Sequence, residues 1–248
     1  MGKLDGRVAV VTGGARGLGA AAALRLAAEG ARIGVLDLRE ADDTRGRIQA
    51  AGGACETFRC DTTDESQVAA AIEGVHGRLG ALDILVNNAG ILQPRAVSLE
   101  MSKAEVERYV AVNYVGYFVV TKAAYPLLKQ SQHARIINVA SRTYFLANAG
   151  QMAYVASKGA VLGMTRVLAR ELGADNICVN AVMPGQIATE GTRAYTDEET
   201  FNRTMQNQSI KKRGTPEHLA GLIAFLASDD AELITGQTIL CDGGAYLH

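Results

Sequence analysis

Two features of the 248-residue chain predict an α/β fold, a doubly wound seven-stranded parallel sheet with helices on both faces. Short β-branched runs alternate with longer helix-like stretches from end to end, the pattern of parallel strands joined by crossover helices. The runs Val8-Ala9-Val10-Val11 and Ile84-Leu85-Val86 are apolar at every position, as strands covered on both faces require. No Ser-, Gln- or charge-rich stretch breaks the alternation and only 4 prolines occur, so one domain over residues 1–248 is expected. A chain of this length can bury roughly three-quarters of its unfolded surface.

The expected strands, in order, are Val8 to Thr12, Arg32 to Asp37, Ala54 to Cys60, Asp83 to Asn87, Arg135 to Ala140, Cys178 to Met183 and Gln237 to Cys241. Ligands of such sheets sit outside the carboxyl ends of the strands, where the strand order reverses. A helix is expected from about Ala153 to Gly173, with Tyr154, Lys158, Val161, Leu162, Thr165, Leu168 and Leu172 as the stripe facing sheet and cleft. Its other side carries Ala153, Ala156, Ala160, Met164 and Val167. A helix apolar nearly all round points to burial on both sides, here by a second copy of the chain in a homo-oligomer, a dimer or tetramer. The segment from Ser102 to Leu128, with Tyr114, Tyr117, Phe118 and Val119, is a candidate neighbour in that contact.

Composition excludes several classes of function. A net charge of -1 leaves no electrostatic footprint for nucleic acid or an anionic membrane. Neither a run of eighteen apolar residues nor a signal-peptide core is present, so a cytoplasmic location is expected. Cys55, Cys60, Cys178 and Cys241 lack metal-ligand spacing and, like the dispersed histidines, indicate no metal site or disulfide framework.

The first expected strand runs into Thr12-Gly13-Gly14-Ala15-Arg16-Gly17-Leu18-Gly19 and an Ala-rich helical stretch. Glycines there permit a tight turn and let backbone N–H groups and a helix N-terminus approach a pyrophosphate. Asp37, at the end of the second strand, can accept hydrogen bonds from both ribose hydroxyls and would repel a 2′-phosphate, which favours NAD over NADP. Arg16 and Arg39 nearby could accommodate that phosphate. Further along, Tyr154 and Lys158 stand four residues apart, side by side on one helix face. A neighbouring cation stabilises an ionised phenol and lowers its pKa from about 10, which suits the tyrosine for general acid/base work. Ser141 could hydrogen-bond the substrate oxygen whose proton the tyrosine moves.

Taken in order, Thr12-Gly13-x-x-x-Gly17-x-Gly19, Asn87-Asn88-Ala89-Gly90, Asn113, Ser141, Tyr154-x-x-x-Lys158, and Asn180 followed by Pro184-Gly185 resemble the short-chain dehydrogenase/reductase family over essentially the whole chain. The resemblance implies a Rossmann fold and an NAD-dependent alcohol–ketone oxidoreductase acting on a small molecule. It implies that Tyr154 is the acid/base, that Ser141 polarises the substrate oxygen, and that Lys158 tunes the phenol and holds the nicotinamide ribose. Asn113 would distort its helix and anchor a water reaching Lys158. Gly13, Arg16, Gly17, Leu18 and Gly19 would cradle the cofactor, Asp61 would bind the adenine amine, and Asn87 and Gly90 would shape the cleft floor. Pro184 and Gly185 would lead into Ile187 and Thr189, which would hold the carboxamide. Around the catalytic serine, Thr143, Tyr144 and Phe145, with Gln186 and Tyr195 in a substrate loop of about residues 184–214, are expected to form a pocket for an aromatic or alicyclic substrate. The stretch Ala231 to Gln237, then Asp242-Gly243-Gly244 and a final His248, looks like NAD-dependent alcohol dehydrogenases of the family. Reduction of 3-oxoacyl thioesters, oxidation of sugars or polyols, and non-catalytic dinucleotide binding are the alternatives.

Overall fold

A computed structural model describes residues 2–247, so the terminal His248 lies outside the described residues. Seven parallel strands form one sheet in the order β3-β2-β1-β4-β5-β6-β7. They are β1 (Val8–Thr12), β2 (Arg32–Asp37), β3 (Cys55–Arg59), β4 (Ile84–Asn87), β5 (Arg135–Val139), β6 (Cys178–Pro184) and β7 (Thr238–Cys241). All seven expected strands are present, with ends shifted by a residue at most. β6 runs on through Pro184, whose missing N–H costs nothing at the last position of a strand.

Helices cover both faces. On one lie α1 (Gly17–Ala28), α2 (Asp42–Ala50) and α10 (Pro216–Ala227), whose Ala22, Leu26, Leu219 and Ile223 close over Val11, Ile33, Val86 and Val182. The other is covered by α3 (Glu65–Leu79), α5 (Gly116–Leu128) and α7 (Met152–Glu171), which bury Val8, Leu36, Leu85 and Ile136, while α4 (Lys103–Val110) packs outside them on α7. Short helices α6 (Thr143–Leu146), α8 (Glu190–Arg193) and α9 (Glu198–Gln206) lie after β5 and β6. Local chemistry sets several boundaries. Asp64 caps α3 through the amides of Ser66 and Gln67, and Gly80, at φ 80°, ends it. Ser102 and Glu105 form a reciprocal cap on α4.

Strand order reverses between β1 and β4, because β1 pairs with β2 on one side and β4 on the other. The turns leaving these two strands therefore part and open a crevice at their carboxyl ends. Between α4 and α5 the backbone widens into a π-helical turn, Ala111–Val115, that contains Asn113. The distortion expected at Asn113 is there.

The α7 stripe predicted to face inward is buried at Tyr154, Lys158, Val161, Leu162, Thr165 and Leu172. Ala153, assigned from sequence to the opposite side, is also fully buried, in the first turn of the helix. Val167 on that opposite side is 54% exposed, as Phe118 on α5 is 48% exposed.

Candidate active site

The crevice is a cavity of about 550 Å³ bounded by the Gly-rich turn, the ends of β2 and β3, the turn after β4, α4, α7 and the segment after β6. Its glycines are sterically required at two points. A Cβ on Gly13, which has φ +65°, would stand 2.8 Å from the Cα of Ala89; one on Gly19 would stand 2.1 Å from the carbonyl oxygen of Gly13. Neither contact can be relieved without moving backbone, so the turn after β1 lies flat against the turn after β4. Thr44 holds it from below, its hydroxyl donating to the carbonyls of Gly14 and Ala15 at 3.0 and 3.2 Å. The result is an open cradle at the N-terminus of α1, a shape and polarity that fit a dinucleotide pyrophosphate.

Asp37 faces this cradle. One carboxylate oxygen accepts the Ala15 N–H at 3.0 Å and the other the Arg39 N–H at 2.9 Å, which fixes the carboxylate plane. Each oxygen keeps a lone pair for a ligand hydroxyl. Arg39, Asp61, Thr62 and Thr63 complete that end of the crevice. Cys60 also lines it, and burial pushes its thiol up to about 11, which keeps it protonated at neutral pH. Arg16 forms an ion pair with Glu190 at the start of α8, across the crevice from the Gly-rich turn.

At the other end Tyr154 and Lys158 share the inward face of α7, both buried. Lys158 directs its ammonium to the Val139 carbonyl at 2.8 Å and the Tyr117 hydroxyl at 3.1 Å. Burial lowers its pKa from 10.5 to about 7. Sequence reasoning expected this cation to pull the Tyr154 phenol down. In the structure burial instead pushes the phenol up, and the Ser141 hydroxyl pulls it part of the way back by hydrogen-bonding it. Ser141 in turn accepts from the Thr143 N–H at 3.3 Å and hydroxyl at 2.9 Å, so its own proton is directed at Tyr154. A phenol and a serine hydroxyl side by side can bind one substrate oxygen and move a proton to or from it. Asn113 donates to the Ile91 carbonyl and accepts the Ile91 N–H, joining the wall after β4 to the π-turn.

The sequence family described as enoyl-(acyl carrier protein) reductase matches residues 13–246. The chain belongs to the short-chain dehydrogenase/reductase family. It is 36% identical over 247 residues to a 3-oxoacyl-(acyl-carrier-protein) reductase of Thermotoga maritima, covering 99% of this chain and 100% of the relative. Among solved structures it is similar to a short-chain dehydrogenase/reductase from Serratia marcescens (34% identity, TM-score 0.91, covering 98% of this chain and 99% of that one). A dehydrogenase/reductase from Sinorhizobium meliloti gives 36% identity and a TM-score of 0.92, with 98% and 96% covered. Membership makes the protein an oxidoreductase of CH–OH and ketone groups that takes a nicotinamide dinucleotide and a small-molecule substrate.

Within this short-chain dehydrogenase/reductase some expected site residues lie elsewhere. Asn87 does not reach the crevice: it is fully buried under the sheet and donates to Thr121 and Asn138. Asn87 is the last residue of β4, and it is Asn88, the first residue of the turn beyond it, that lines the crevice. There Asn88 binds the carbonyls of Thr12 and Gly13 at 2.9 and 3.1 Å. Pro184 and Thr189 line the crevice, but Thr189 also caps α8. Ile187 is buried in the core and, with Gly185 and Gln186, borders a second cavity of about 450 Å³ behind the loop. The aromatics are displaced too. Tyr144 lies against Gly159 on α7, and Phe145 stacks on Tyr246 at 4.8 Å. Tyr195 is 60% exposed and outside the crevice lining. The crevice wall is instead made by Ile91, Leu92, Arg108 and Val112. Of these, Ile91 and Leu92 directly follow the Asn87-Asn88-Ala89-Gly90 motif; Arg108 and Val112 carry no local signal.

Proposed function

We propose that the protein is an NAD-dependent dehydrogenase of a secondary alcohol, working reversibly on the ketone, with Tyr154 as general acid/base. The observation that carries this reading is Tyr154, at the inner end of a dinucleotide-shaped crevice and hydrogen-bonded by Ser141 just behind Ala140 of its lining. Bound nicotinamide supplies or accepts the hydride. Ser141 orients the substrate oxygen, and Tyr154 takes its proton in oxidation or returns it in reduction. Lys158 would hold the nicotinamide ribose, and Asn113 keeps the wall of the crevice fixed. Leu92, Ile91 and Val112 favour an apolar substrate, an alicyclic or aromatic alcohol rather than a sugar. A second reading, reduction of a 3-oxoacyl thioester, is favoured by the similarity to the Thermotoga enzyme. Absorbance of the reduced nicotinamide, followed with NAD and NADP in parallel over secondary alcohols, sugars, ketones and a 3-oxoacyl thioester, separates the two. Turnover confined to the thioester with NADP would refute the first reading.

Asp37 carries the cofactor preference. Replacing it with Ser removes the charge that repels a 2′-phosphate and leaves Arg16 and Arg39 at the same mouth. The ratio of kcat/KM for NAD over NADP should then fall by roughly tenfold or more, the worth of one charge–charge contact at a partly solvated site. An unchanged ratio in Asp37→Ser would remove Asp37 from this role.

A homo-oligomer is part of the same reading. Met152, Val167, Val115 and Phe118 are exposed apolar groups on α7 and on the π-turn and α5, and α7 packs on that turn. Sedimentation should give a dimer or tetramer, and Phe118→Asp combined with Val167→Glu should shift it to monomer. A wild-type monomer at micromolar concentration would sink this part.

A further inference from the structure

The N-terminus of α7, which carries Tyr154 in its first turn, has no cap of its own: Gln151 at the capping position makes no side-chain bond to the helix amides. An uncapped N–H in a buried first turn is an orphan donor. Here it finds an acceptor 61 positions earlier. The Oε1 atom of Gln93 accepts the Tyr154 N–H at 2.9 Å. Gln93 is only 3% exposed, although it lies in a stretch without regular structure. Its Nε2 donates to the Gly150 carbonyl at 3.3 Å and to the Met101 sulfur at 3.1 Å, and its own carbonyl accepts from Gln151 at 2.8 Å. A buried amide satisfied at every atom is not space filling; an apolar side chain would fill the space without needing partners.

The contacts on either side close a ring. Ile91, two residues before Gln93, is held through both its N–H and carbonyl by Asn113 at 2.8 and 3.1 Å. Asn113 also donates to the Ser157 hydroxyl at 3.1 Å, and Ser157 donates to the Tyr154 carbonyl at 2.8 Å. Both backbone polar groups of Tyr154 are thus tied, the carbonyl through Ser157 and the N–H through Gln93, to one side chain, Asn113, and the short strap Ile91 to Gln93.

We propose that Gln93 is a positioning residue: it closes this ring and so sets where the Tyr154 phenol stands relative to the crevice wall of Gly90, Ile91 and Leu92. The role rests on Tyr154 being the acid/base. Gln93 is buried and does not line the crevice, so its loss should disturb geometry at the reacting oxygen while leaving the dinucleotide cradle alone. A displacement of about 1 Å at such a group can cost up to about a hundredfold in rate.

The test compares Gln93→Met, which keeps the volume and loses the bonds, with Gln93→Glu, which keeps the acceptor. Steady-state kinetics should show kcat down roughly tenfold or more in the methionine variant with KM for NAD within about twofold, and most of the loss recovered in the glutamate variant. Amide hydrogen exchange at Tyr154 should quicken about fivefold in Gln93→Met and not in Gln93→Glu, the effect of losing one helix cap. A methionine variant with wild-type kcat, or a glutamate variant equally impaired, overturns the proposal. If the wild-type enzyme turned over no alcohol or ketone, the proposed function would fail on its own. The exchange measurement would still decide the ring: unchanged exchange at Tyr154 in Gln93→Met refutes it. Gln93→Asn, one methylene shorter, carries the same comparison should the methionine variant not fold.

Discussion

Tyr154→Phe should fold normally, bind the dinucleotide as before and lose turnover by about a hundredfold or more, the usual worth of a positioned general acid/base. The change removes one oxygen from a side chain that is 7% exposed and packed on α7, so the cavity it leaves is too small to upset the fold. Circular dichroism and titration with reduced nicotinamide would confirm the first two points; the third is a rate. The pH profile gives a sharper signature. Burial raises the phenol above its usual 10 and Ser141 opposes that rise. Oxidation needs the phenolate, so the rate in that direction should climb as pH rises toward the phenol pKa. Reduction needs the protonated phenol and should decline over the same range. Both limbs should vanish in Tyr154→Phe. Near-normal turnover in the folded variant would end the mechanism.

Lys158→Met is expected to move activity and stability in opposite directions. Turnover should fall by about a hundredfold, because an ammonium at the inner end of the crevice is lost where electrostatic contacts are strong. The cofactor-free protein should nevertheless become more stable near neutral pH. The lysine is 4% exposed, and burial brings its pKa from 10.5 to about 7. Between those values the unfolded chain holds a proton that the folded chain releases, so falling pH favours unfolding, at about 1.4 kcal/mol per pH unit. The penalty is absent above 10.5, grows as pH falls and levels off below about 7, on the order of a few kcal/mol. Methionine pays none of it, and the Tyr117 hydroxyl keeps its bond to the Val139 carbonyl at 3.1 Å. Melting temperatures of both proteins across that pH range should therefore diverge toward neutrality, with the variant higher. A wild type that is the more stable at every pH would contradict this account of Lys158.

Much of this architecture is legible in the chain because it is local. Strand positions follow from continuous apolar runs, and Tyr154 and Lys158 share a face because helical spacing leaves no other choice. The Gly-rich turn announces itself through residues that a backbone contact demands. What the sequence conceals is tertiary. Asn87 and Asn88 are chemically identical neighbours, and only the point at which β4 ends, with Asn87 inside the sheet and Asn88 in the turn, decides which enters the crevice. Tyr144 and Phe145 follow Ser141 closely, yet α6 turns them toward Gly159 and Tyr246. The ammonium of Lys158 finds a carbonyl and a phenol from two other elements, contacts invisible to an argument from spacing. The bond from Gln93 to the Tyr154 N–H is equally invisible, since its partner lies on a different element.

The displaced Asn87 has a consequence for how the chain finds its fold. Asn87 and Asn138 are opposite one another on β4 and β5, and the first donates to the second at 2.9 Å. Asn87 also reaches Thr121 on α5, while Asn138 reaches Thr165 on α7, both at 3.0 Å. Sliding β5 by one residue against β4 would turn Asn138 to the other face and leave amides stranded in hydrocarbon, at about 1–3 kcal/mol for each unpaired group. Neighbouring valines and isoleucines would tolerate that slip far better, being nearly interchangeable as apolar filler. The polar chain therefore acts as a proofreading mark at the middle of the sheet: pairings of these strands out of register, which would misalign the crevice, are penalised by their stranded amides.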